Sequence, residues 1–242
     1  MTTRNLEVCL TPAVFNRFDH EDAAVVIIDV LRASSLICTA FANGAVAIIP
    51  VSEVTQAMDY KKKGFMVAAE RDGFVLDFAD FGNSPFNFTK EKVEGKTIVY
   101  STTNGTRLIE LASASFSCAI GTFNNLSAII RWVLKQDRDV ILFCAGWKDK
   151  FNLEDTICAG AMAEKLIESG QYKTICDSAY AATDLWKLAS PDPLHYIQKA
   201  AQRNRLRDKG LDDCIEYCMS VDLNASVPVV INSELRDFSK LT

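Results

Sequence analysis

Four apolar residues, at positions 25–28, run without a break into an aspartate, Asp29. All four are β-branched, and a short unbroken apolar run of this kind is typical of a strand that is buried on both faces. Such strands belong to parallel sheets, whose two faces are covered by helices. The run therefore predicts an α/β protein, and it constrains the fold more than any other stretch of the chain.

Two small hydroxyl residues, Ser34 and Ser35, predict the cap of a following helix over residues 36–43. Asp29 and Arg32 are then expected where a buried strand leaves the sheet, which is the edge at which open α/β folds bind ligands. A carboxylate there can hold a hard cation, and an arginine three residues later can hold an oxyanion. The alternative is structural: Asp29 caps the helix and pairs with Arg32.

Charge and composition exclude several classes of protein. The chain of 242 residues carries a formal net charge of −5 and has no basic run that could follow a nucleic-acid backbone. No apolar run approaches the roughly 20 residues needed to cross a bilayer, and the first ten residues lack the apolar core of a signal peptide. The eight cysteines include no C-x-x-C pair and predict buried, reduced thiols. We therefore expect a cytoplasmic protein that binds neither nucleic acid nor membrane.

The small number of histidines limits the chemistry. Only His20 and His195 are present, and neither lies in a motif. Histidine-rich zinc sites and Ser-His-Asp hydrolases are therefore disfavoured. We expect a cation bound by this chain to be Mg²⁺, because carboxylate oxygens are the ligands that this ion prefers.

The order strand, ligand-like loop, helix, strand, helix, strand, ligand-like loop occurs twice, over residues 23–82 and 96–156. We interpret this as a single α/β domain over residues 1–242 with an internal duplication, the alternative being ordinary α/β alternation. The last third is predicted to be mostly helical. It contains a helix over residues 172–188 and a basic helix over residues 194–209, followed later by one strand.

Polar side chains follow four of the predicted strands, at the point where each strand ends. In chain order they are Asp29, Arg32 and Ser34; Glu70 and Arg71; Asn104, Gly105, Thr106 and Arg107; and Glu154 and Asp155. If the four strands are parallel neighbours, these loops converge on one edge of the sheet. A glycine, the amides of a helix start and an adjacent arginine suit a phosphate or a sulfonate. The alternatives are again structural, since Asn-Gly is a common turn and the helix dipole favours acids at a helix start.

Five stretches, in order along nearly the whole chain, resemble motifs of the 2-phosphosulfolactate phosphatase family. They are residues 26–34, 70–73 with 81–85, 103–107, 144–146 with 153–155 and 158–160, and 205–213. Each stretch is short, but their joint occurrence in the same order is specific. Ser34-Ser35 is a mild departure, because threonine is expected there more often.

The resemblance implies a three-layer α/β/α fold with a largely parallel or mixed central sheet, and a phosphatase that depends on Mg²⁺. Its reaction would be hydrolysis of 2-phospho-3-sulfolactate, or a related small phosphorylated acid, to sulfolactate and phosphate, a step towards coenzyme M. The partner implied is thus a small phosphorylated, sulfonated acid. A homo-oligomer is left open.

A substrate with three anionic groups needs local positive charge and a divalent ion in this acidic protein. We predict Asp29, Glu70 and Asp155 as Mg²⁺ ligands, and Asp29, Glu154 and Asp155 as catalytic acids. The predicted substrate-binding residues are Arg32, Ser34, Arg71, Asn83, Asn104, Gly105, Thr106 and Arg107. Either Glu154 or Asp29 would activate the attacking water or attack phosphorus itself. Direct hydrolysis and an aspartyl-phosphate intermediate both stay open.

Two other classes of function compete with the enzyme. One is a non-catalytic anion- or metabolite-binding protein that keeps the pocket. The other is a structural or interaction module whose strand-end acids only cap helices. Phosphate release that depends on Mg²⁺ would exclude the first, and stabilisation by Mg²⁺ or phosphate would exclude the second. The complete set of acids and arginines favours the enzyme.

Overall fold

The computed structural model describes residues 3–102 and 105–241. Its strands are β1 (Arg4–Cys9), β2 (Ala24–Ile28), β3 (Ala47–Pro50), β4 (Met66–Arg71), β5 (Phe74–Val75), β6 (Thr97–Ser101), β7 (Ser117–Gly121), β8 (Val140–Cys144), β9 (Tyr172–Lys173), β10 (Pro228–Ile231) and β11 (Glu234–Asp237). Its α-helices are α1 (Ala33–Ala42), α2 (Val54–Lys62), α3 (Lys90–Val93), α4 (Gly105–Leu111), α5 (Leu126–Gln136), α6 (Leu153–Glu168), α7 (Asp177–Ala189), α8 (Pro193–Tyr196), α9 (Ala201–Asp208) and α10 (Ile215–Met219). None of these helices is long and apolar enough to cross a membrane.

The strands form one mixed sheet, in which an antiparallel hairpin joins two blocks of parallel strands. One block has the order β4-β6-β3, with β5 added antiparallel to β4, and the other has the order β7-β2-β8-β1-β9. The hairpin β10–β11 lies between them and pairs antiparallel with β7 on one side and with β3 on the other. The four strands that precede the polar loops are therefore not all neighbours. Strand β2 lies beside β8 in one block, and β4 lies beside β6 in the other.

The strand order is symmetric about the hairpin. Strand β2, which opens residues 23–82, lies between β7 and β8 of residues 96–156. Strand β6, which opens the second stretch, lies between β3 and β4 of the first. Each block thus combines strands from both predicted repeats, while the duplication itself stays a prediction.

Strand β2 explains why the chain forms three layers. Val26 and Ile28 belong to a buried core that includes α5 and α6, whereas Val25 and Ile27 belong to a second core that includes α1. Successive residues of a strand point to opposite faces, so helices cover both faces of β2. Burying one such side chain contributes about 1.5–3 kcal/mol, which is why an unbroken apolar run occupies this position. The predicted three-layer α/β/α fold with a mixed sheet is confirmed.

Three elements of the last third differ from the prediction. The helix predicted over residues 172–188 begins at Asp177, because Tyr172 and Lys173 pair with β1 as strand β9. The basic helix predicted over residues 194–209 is divided into α8 and α9 by a 3-10 turn (Ile197–Lys199) and by Ala200, whose backbone is extended. The last predicted strand is one arm of a hairpin rather than a single strand. The first of these differences depends on pairing with a distant strand, which local periodicity does not report.

Candidate active site

One cavity collects residues from both blocks of the sheet. It is lined by Asp29, Leu31 and Arg32 after β2, by Glu70, Asp72 and Gly73 around the β4–β5 turn, by Asn83, by Thr102 after β6, by Gly146 and Trp147 after β8, and by Gln202, Arg205, Leu206 and Lys209 at α9. The loops that follow β2, β4, β6 and β8 therefore meet in one place. They do so although the expected condition, four parallel neighbouring strands, is not fulfilled.

Asp29 follows β2 directly and is held by the start of α1. Its main-chain N–H donates to Ser34 Oγ at 2.9 Å, and its Oδ1 accepts from the Ala33 N–H at 3.4 Å. The prediction that Ser34 and Ser35 precede the helix is wrong, because α1 begins at Ala33 and both serines lie in its first turn. Ser34 is buried and does not line the cavity, so in this geometry it positions Asp29.

The charge of Asp29 is perturbed by its surroundings. Removal from water and the nearby Glu70 carboxylate raise the pKa of Asp29 to about 6. The Ala33 amide and the Arg32 guanidinium act in the opposite direction. An ionised carboxylate that is disfavoured in this way is stabilised by any cation that enters the cavity.

Arg32 and Asn83 are the two predicted substrate-binding residues that line the cavity, among those that the structure describes. Arg32 is buried, and its Nη1 donates to the main-chain oxygen of Leu211 at 3.3 Å. Asn83 Oδ1 accepts from the hydroxyl of Tyr100 at 2.6 Å, which fixes the orientation of the amide. The Asn83 amide nitrogen and the Arg32 guanidinium are donors, as an oxyanion requires.

Glu70 and Arg71 end β4 but have different surroundings. Glu70 is buried in the cavity wall, where its Oε2 accepts from the Gly73 N–H at 2.6 Å. The Arg71 guanidinium donates to the main-chain oxygens of Glu70 and Ser52 at 2.7 and 3.2 Å, and to Ser101 Oγ at 3.1 Å. Arg71 does not line the cavity and ties the end of β4 to the end of β6. Its predicted contact with substrate stays a prediction that this geometry does not support.

Asp155, in the first turn of α6, joins the loops that follow β2 and β8. Its Oδ1 accepts from the Val30 N–H at 2.9 Å and its Oδ2 from the Gly146 N–H at 3.0 Å. Burial, and then the charges of Glu154 and Asp29, raise the pKa of Asp155 well above its usual range. Because both oxygens already accept from main-chain amides, the geometry gives Asp155 a positioning role. Its predicted roles as catalytic acid and metal ligand stay predictions.

Glu154 is the most unusual acid of the site. It is 1% exposed, and neither carboxylate oxygen has a hydrogen-bond partner among the described residues. Burial and the Asp29 charge raise the pKa of Glu154 to about 7, against the opposing effects of its own main-chain N–H and of Arg205. An acid that only complemented the helix dipole would lie at the surface, because burying an unpaired carboxylate is costly. Glu154 does not line the cavity, but it interacts electrostatically with Asp29 and Arg205, which do.

The loop after β6 falls partly outside the described residues, which exclude residues 103 and 104. The predicted substrate contact of Asn104 therefore cannot be placed. Gly105 begins α4, and the buried Thr106 donates from Oγ1 to the main-chain oxygen of Thr102 at 3.4 Å. Thr106 does not line the cavity, so the contacts predicted for Gly105 and Thr106 stay predictions.

Arg107 allows a direct test of this loop. Its guanidinium is half-exposed, lies outside the cavity wall, and donates from Nη1 to Asp149 Oδ1 at 2.9 Å. Exposed ion pairs are weak, so an anionic group of the substrate can compete with Asp149 for this arginine. We expect Arg107→Ala to raise KM about 10-fold in a steady-state phosphate-release assay. The control, Asp149→Asn, removes the competing carboxylate and should lower KM by at most about fivefold, since an exposed ion pair contributes no more than about 1 kcal/mol. Wild-type kinetics for Arg107→Ala would show that Arg107 forms its ion pair with Asp149 but does not bind the substrate.

Helix α9 supplies cavity residues that the sequence did not predict. Gln202, Arg205 and Lys209 come from this helix and its C-terminal end, and Trp147 comes from the loop after β8. The family-like stretch 205–213 was the one sequence signal for the two basic residues. Nothing in the sequence places that stretch beside β2, because the contact depends on how distant segments pack.

The acids of the cavity suit a hard cation. Asp29 and Glu70 both line it, and each offers carboxylate oxygens. Across the described ranges, no three His, Cys, Asp or Glu side chains are gathered closely enough to hold a metal by themselves. Mg²⁺ is commonly bound by one or two carboxylates, with water and substrate phosphate completing its shell. The residues present fit a site of that kind.

Carboxylates and arginines that share one strand-end cavity of an α/β fold are the arrangement expected of a site for a small anion. A family model described as 2-phosphosulpholactate phosphatase matches residues 9–233. The chain is 35% identical over 225 residues to a probable 2-phosphosulfolactate phosphatase of Caldanaerobacter subterraneus subsp. tengcongensis. That match covers 91% of this chain and 93% of the relative. It is also 37% identical over 212 residues to a probable 2-phosphosulfolactate phosphatase of Thermotoga maritima. That match covers 88% of this chain and 91% of the relative. The chain belongs to the 2-phosphosulfolactate phosphatase family, and so to the phosphoric monoester hydrolases.

Proposed function

We propose that this enzyme hydrolyses 2-phospho-3-sulfolactate, or a related small phosphorylated acid, to sulfolactate and phosphate in a reaction that requires Mg²⁺. The observation that carries the proposal is the single cavity in which Asp29 and Glu70 share the wall with Arg32 and Arg205. The descriptions of the relatives support the choice of substrate. A place on the route to coenzyme M follows if this is the substrate met in the cell.

The charges in the cavity match such a substrate. A phosphorylated sulfolactate carries a phosphate, a carboxylate and a sulfonate, whereas the chain has a net charge of −5. Three cationic side chains, Arg32, Arg205 and Lys209, are nevertheless gathered in the cavity wall. Local positive charge of this kind lets an acidic protein bind a polyanion.

Asp29 and Glu70 would hold the Mg²⁺, because they are the strand-end carboxylates in the cavity wall whose roles were predicted from the sequence. When bound, the ion would neutralise the phosphate and orient its oxygens. Asp155 would have a positioning role, because it holds the loops after β2 and β8 together by accepting from two main-chain amides. The Asn83 amide and the Arg32 guanidinium would hold substrate oxygens.

Of the two acids considered for the chemical step, Asp29 is favoured. It lines the cavity, whereas Glu154 does not. Asp29 would either take the proton of the attacking water or attack phosphorus itself, and both routes need its carboxylate to be ionised. Glu154 would act through its charge on Asp29 and Arg205.

A cytoplasmic location is part of the proposal. All eight cysteines are free thiols, and seven of them are buried. Free thiols are typical of a reducing compartment.

The test is phosphate release from a panel of small phosphorylated acids, with and without Mg²⁺. The panel contains 2-phospho-3-sulfolactate, 2-phospholactate and phosphoglycolate. We expect release from the sulfonated acid to be fastest and to stop when the ion is chelated. Binding of these acids without any phosphate release would favour the non-catalytic binding protein. Phosphate release that continues unchanged when Mg²⁺ is chelated would contradict the role of the ion.

A further inference from the structure

Arg205 is held in the cavity wall by contacts on two sides. Its guanidinium carbon lies 3.9 Å from the centre of the Trp147 ring, and its Nε donates to Gln202 Oε1 at 2.9 Å. Gln202 is fixed in turn, because its Nε2 donates to the main-chain oxygen of Leu31 at 3.1 Å. The plane of the guanidinium is therefore set before any substrate arrives, which reduces the entropy lost on binding.

The fold leaves part of this guanidinium without a partner. Arg205 Nη2 is shielded from solvent and has no hydrogen-bond partner among the described residues. A buried N–H donor that finds neither protein nor water is destabilising. Arg205 lines the cavity, so an oxyanion bound there can accept from its guanidinium, and a charge-assisted bond of this type is stronger than a neutral one.

The origin of Arg205 indicates which part of a substrate it meets. The carboxylates Asp29 and Glu70 come from strand ends, whereas Arg205 comes from α9. The transferred phosphate must lie against the strand-end acids if they act on it. The anionic groups that stay on the product then need a cation from another wall.

We propose that Arg205, oriented by Trp147 and Gln202, binds an oxyanion of the substrate that is not transferred, the sulfonate or the carboxylate. This inference rests on the proposed function and extends it to substrate selection. It makes α9 the element that selects phosphorylated acids with additional anionic groups over simple phosphate esters.

The experiment measures binding of the product rather than turnover. Sulfolactate, lactate and inorganic phosphate are titrated calorimetrically into the full chain, as wild type, Arg205→Gln and Arg207→Gln. Arg207 is the matched control, because it lies on the same helix but is exposed and does not line the cavity. We expect Arg205→Gln to weaken sulfolactate binding about 10- to 100-fold, the loss typical of one charge-assisted bond, and phosphate binding less than about 3-fold. Arg207→Gln should match the wild type for all three.

Lactate distinguishes the two oxyanions. If Arg205 binds the sulfonate, Arg205→Gln affects sulfolactate alone, and if it binds the carboxylate, lactate binding falls as well. A thermal melt of each variant checks its folding. If Arg205→Gln does not fold, Trp147→Leu removes the stacking surface and should weaken sulfolactate binding selectively.

Three outcomes would overturn the inference: no binding of sulfolactate to the wild type, equal binding to the wild type and Arg205→Gln, or an equal loss for sulfolactate and phosphate. None of them depends on catalysis. The proposed function fails by a different result, the absence of Mg²⁺-dependent phosphate release by the wild type.

Discussion

The Asp29→Asn variant should release phosphate about 10³-fold more slowly than the wild type, or not at all, with the fold intact. Asparagine has the same shape and keeps an oxygen for the Ala33 N–H, so the start of α1 is preserved. It lacks the negative charge that a metal ion, an attacking water or phosphorus requires. Burial already raises the pKa of Asp29 to about 6, so removal of the charge should not lower stability.

The measurement is a phosphate-release assay at saturating Mg²⁺, together with a thermal melt. Asp184→Asn is the control, because this aspartate is exposed on α7 and makes only a 3.5 Å ion pair with Lys187. It should behave as the wild type in both assays. Turnover by Asp29→Asn within about threefold of the wild type would remove Asp29 from the mechanism.

Glu154→Gln should stabilise the protein, an unusual result for a buried residue. Burial without a partner raises the pKa of Glu154 to about 7, from an ordinary value of 4.5, so its ionised form opposes folding. Above pH 7 the cost approaches about 3 kcal/mol, since each unit of pKa shift corresponds to about 1.4 kcal/mol. Glutamine is close in size and carries no charge, so we expect a gain of about 1–3 kcal/mol at pH 8.

The pH dependence gives the sign of this effect. A carboxyl group with a raised folded-state pKa binds its proton more tightly in the folded state, so wild-type stability falls as pH rises from 4.5 to 7. The difference between Glu154→Gln and the wild type should therefore be absent below pH 4.5 and complete above pH 7. Chemical denaturation in the presence of a chelator measures it across this range. Glu168→Gln, at the exposed end of the same helix, is the control, and a destabilised Glu154→Gln at pH 8 would contradict the account.

Local sequence patterns predicted the part of the site that lies at strand ends. The apolar run before Asp29 indicates a doubly buried strand, and the structure places β2 between two cores, with Asp29 immediately after it. Glu70 was predicted in the same way and lies in the same cavity. The positions of Asp29 and Glu70 were predictable because a polar residue that directly follows a buried strand lies at the edge of the sheet, whereas their roles stay predictions.

Predictions that depended on side-chain direction were weaker. Arg71 directly follows Glu70, yet its guanidinium contacts the main-chain oxygens of Glu70 and Ser52, because successive residues of a strand face opposite sides. Ser34 Oγ accepts from the Asp29 N–H inside the helix and does not line the cavity, and its predicted substrate contact stays a prediction. The sequence names the chemistry of such residues but not the direction in which they point.

Local sequence patterns did not predict which distant segments pair in the sheet or pack against the cavity. The pairing of Tyr172 with β1 turned the start of a predicted helix into a strand. The hairpin β10–β11 joins the two blocks at the centre of the sheet, although it comes last in the chain. Helix α9 brings Arg205 to the cavity from more than 170 residues away from Asp29 in sequence. Local sequence patterns do not predict that two segments so far apart in the chain pack together.

The central claim is that strand ends from two separate blocks hold one divalent ion, with Asp29 contributed by one block and Glu70 by the other. Calorimetric titration of Mg²⁺ in the presence of inorganic phosphate tests it on the wild type, Asp29→Asn and Glu70→Gln, with Asp184→Asn as the control. We expect one tight site in the wild type and in the control, and binding at least about 10-fold weaker in each of the other two variants. Binding of Mg²⁺ to Glu70→Gln as tight as to the wild type would contradict it.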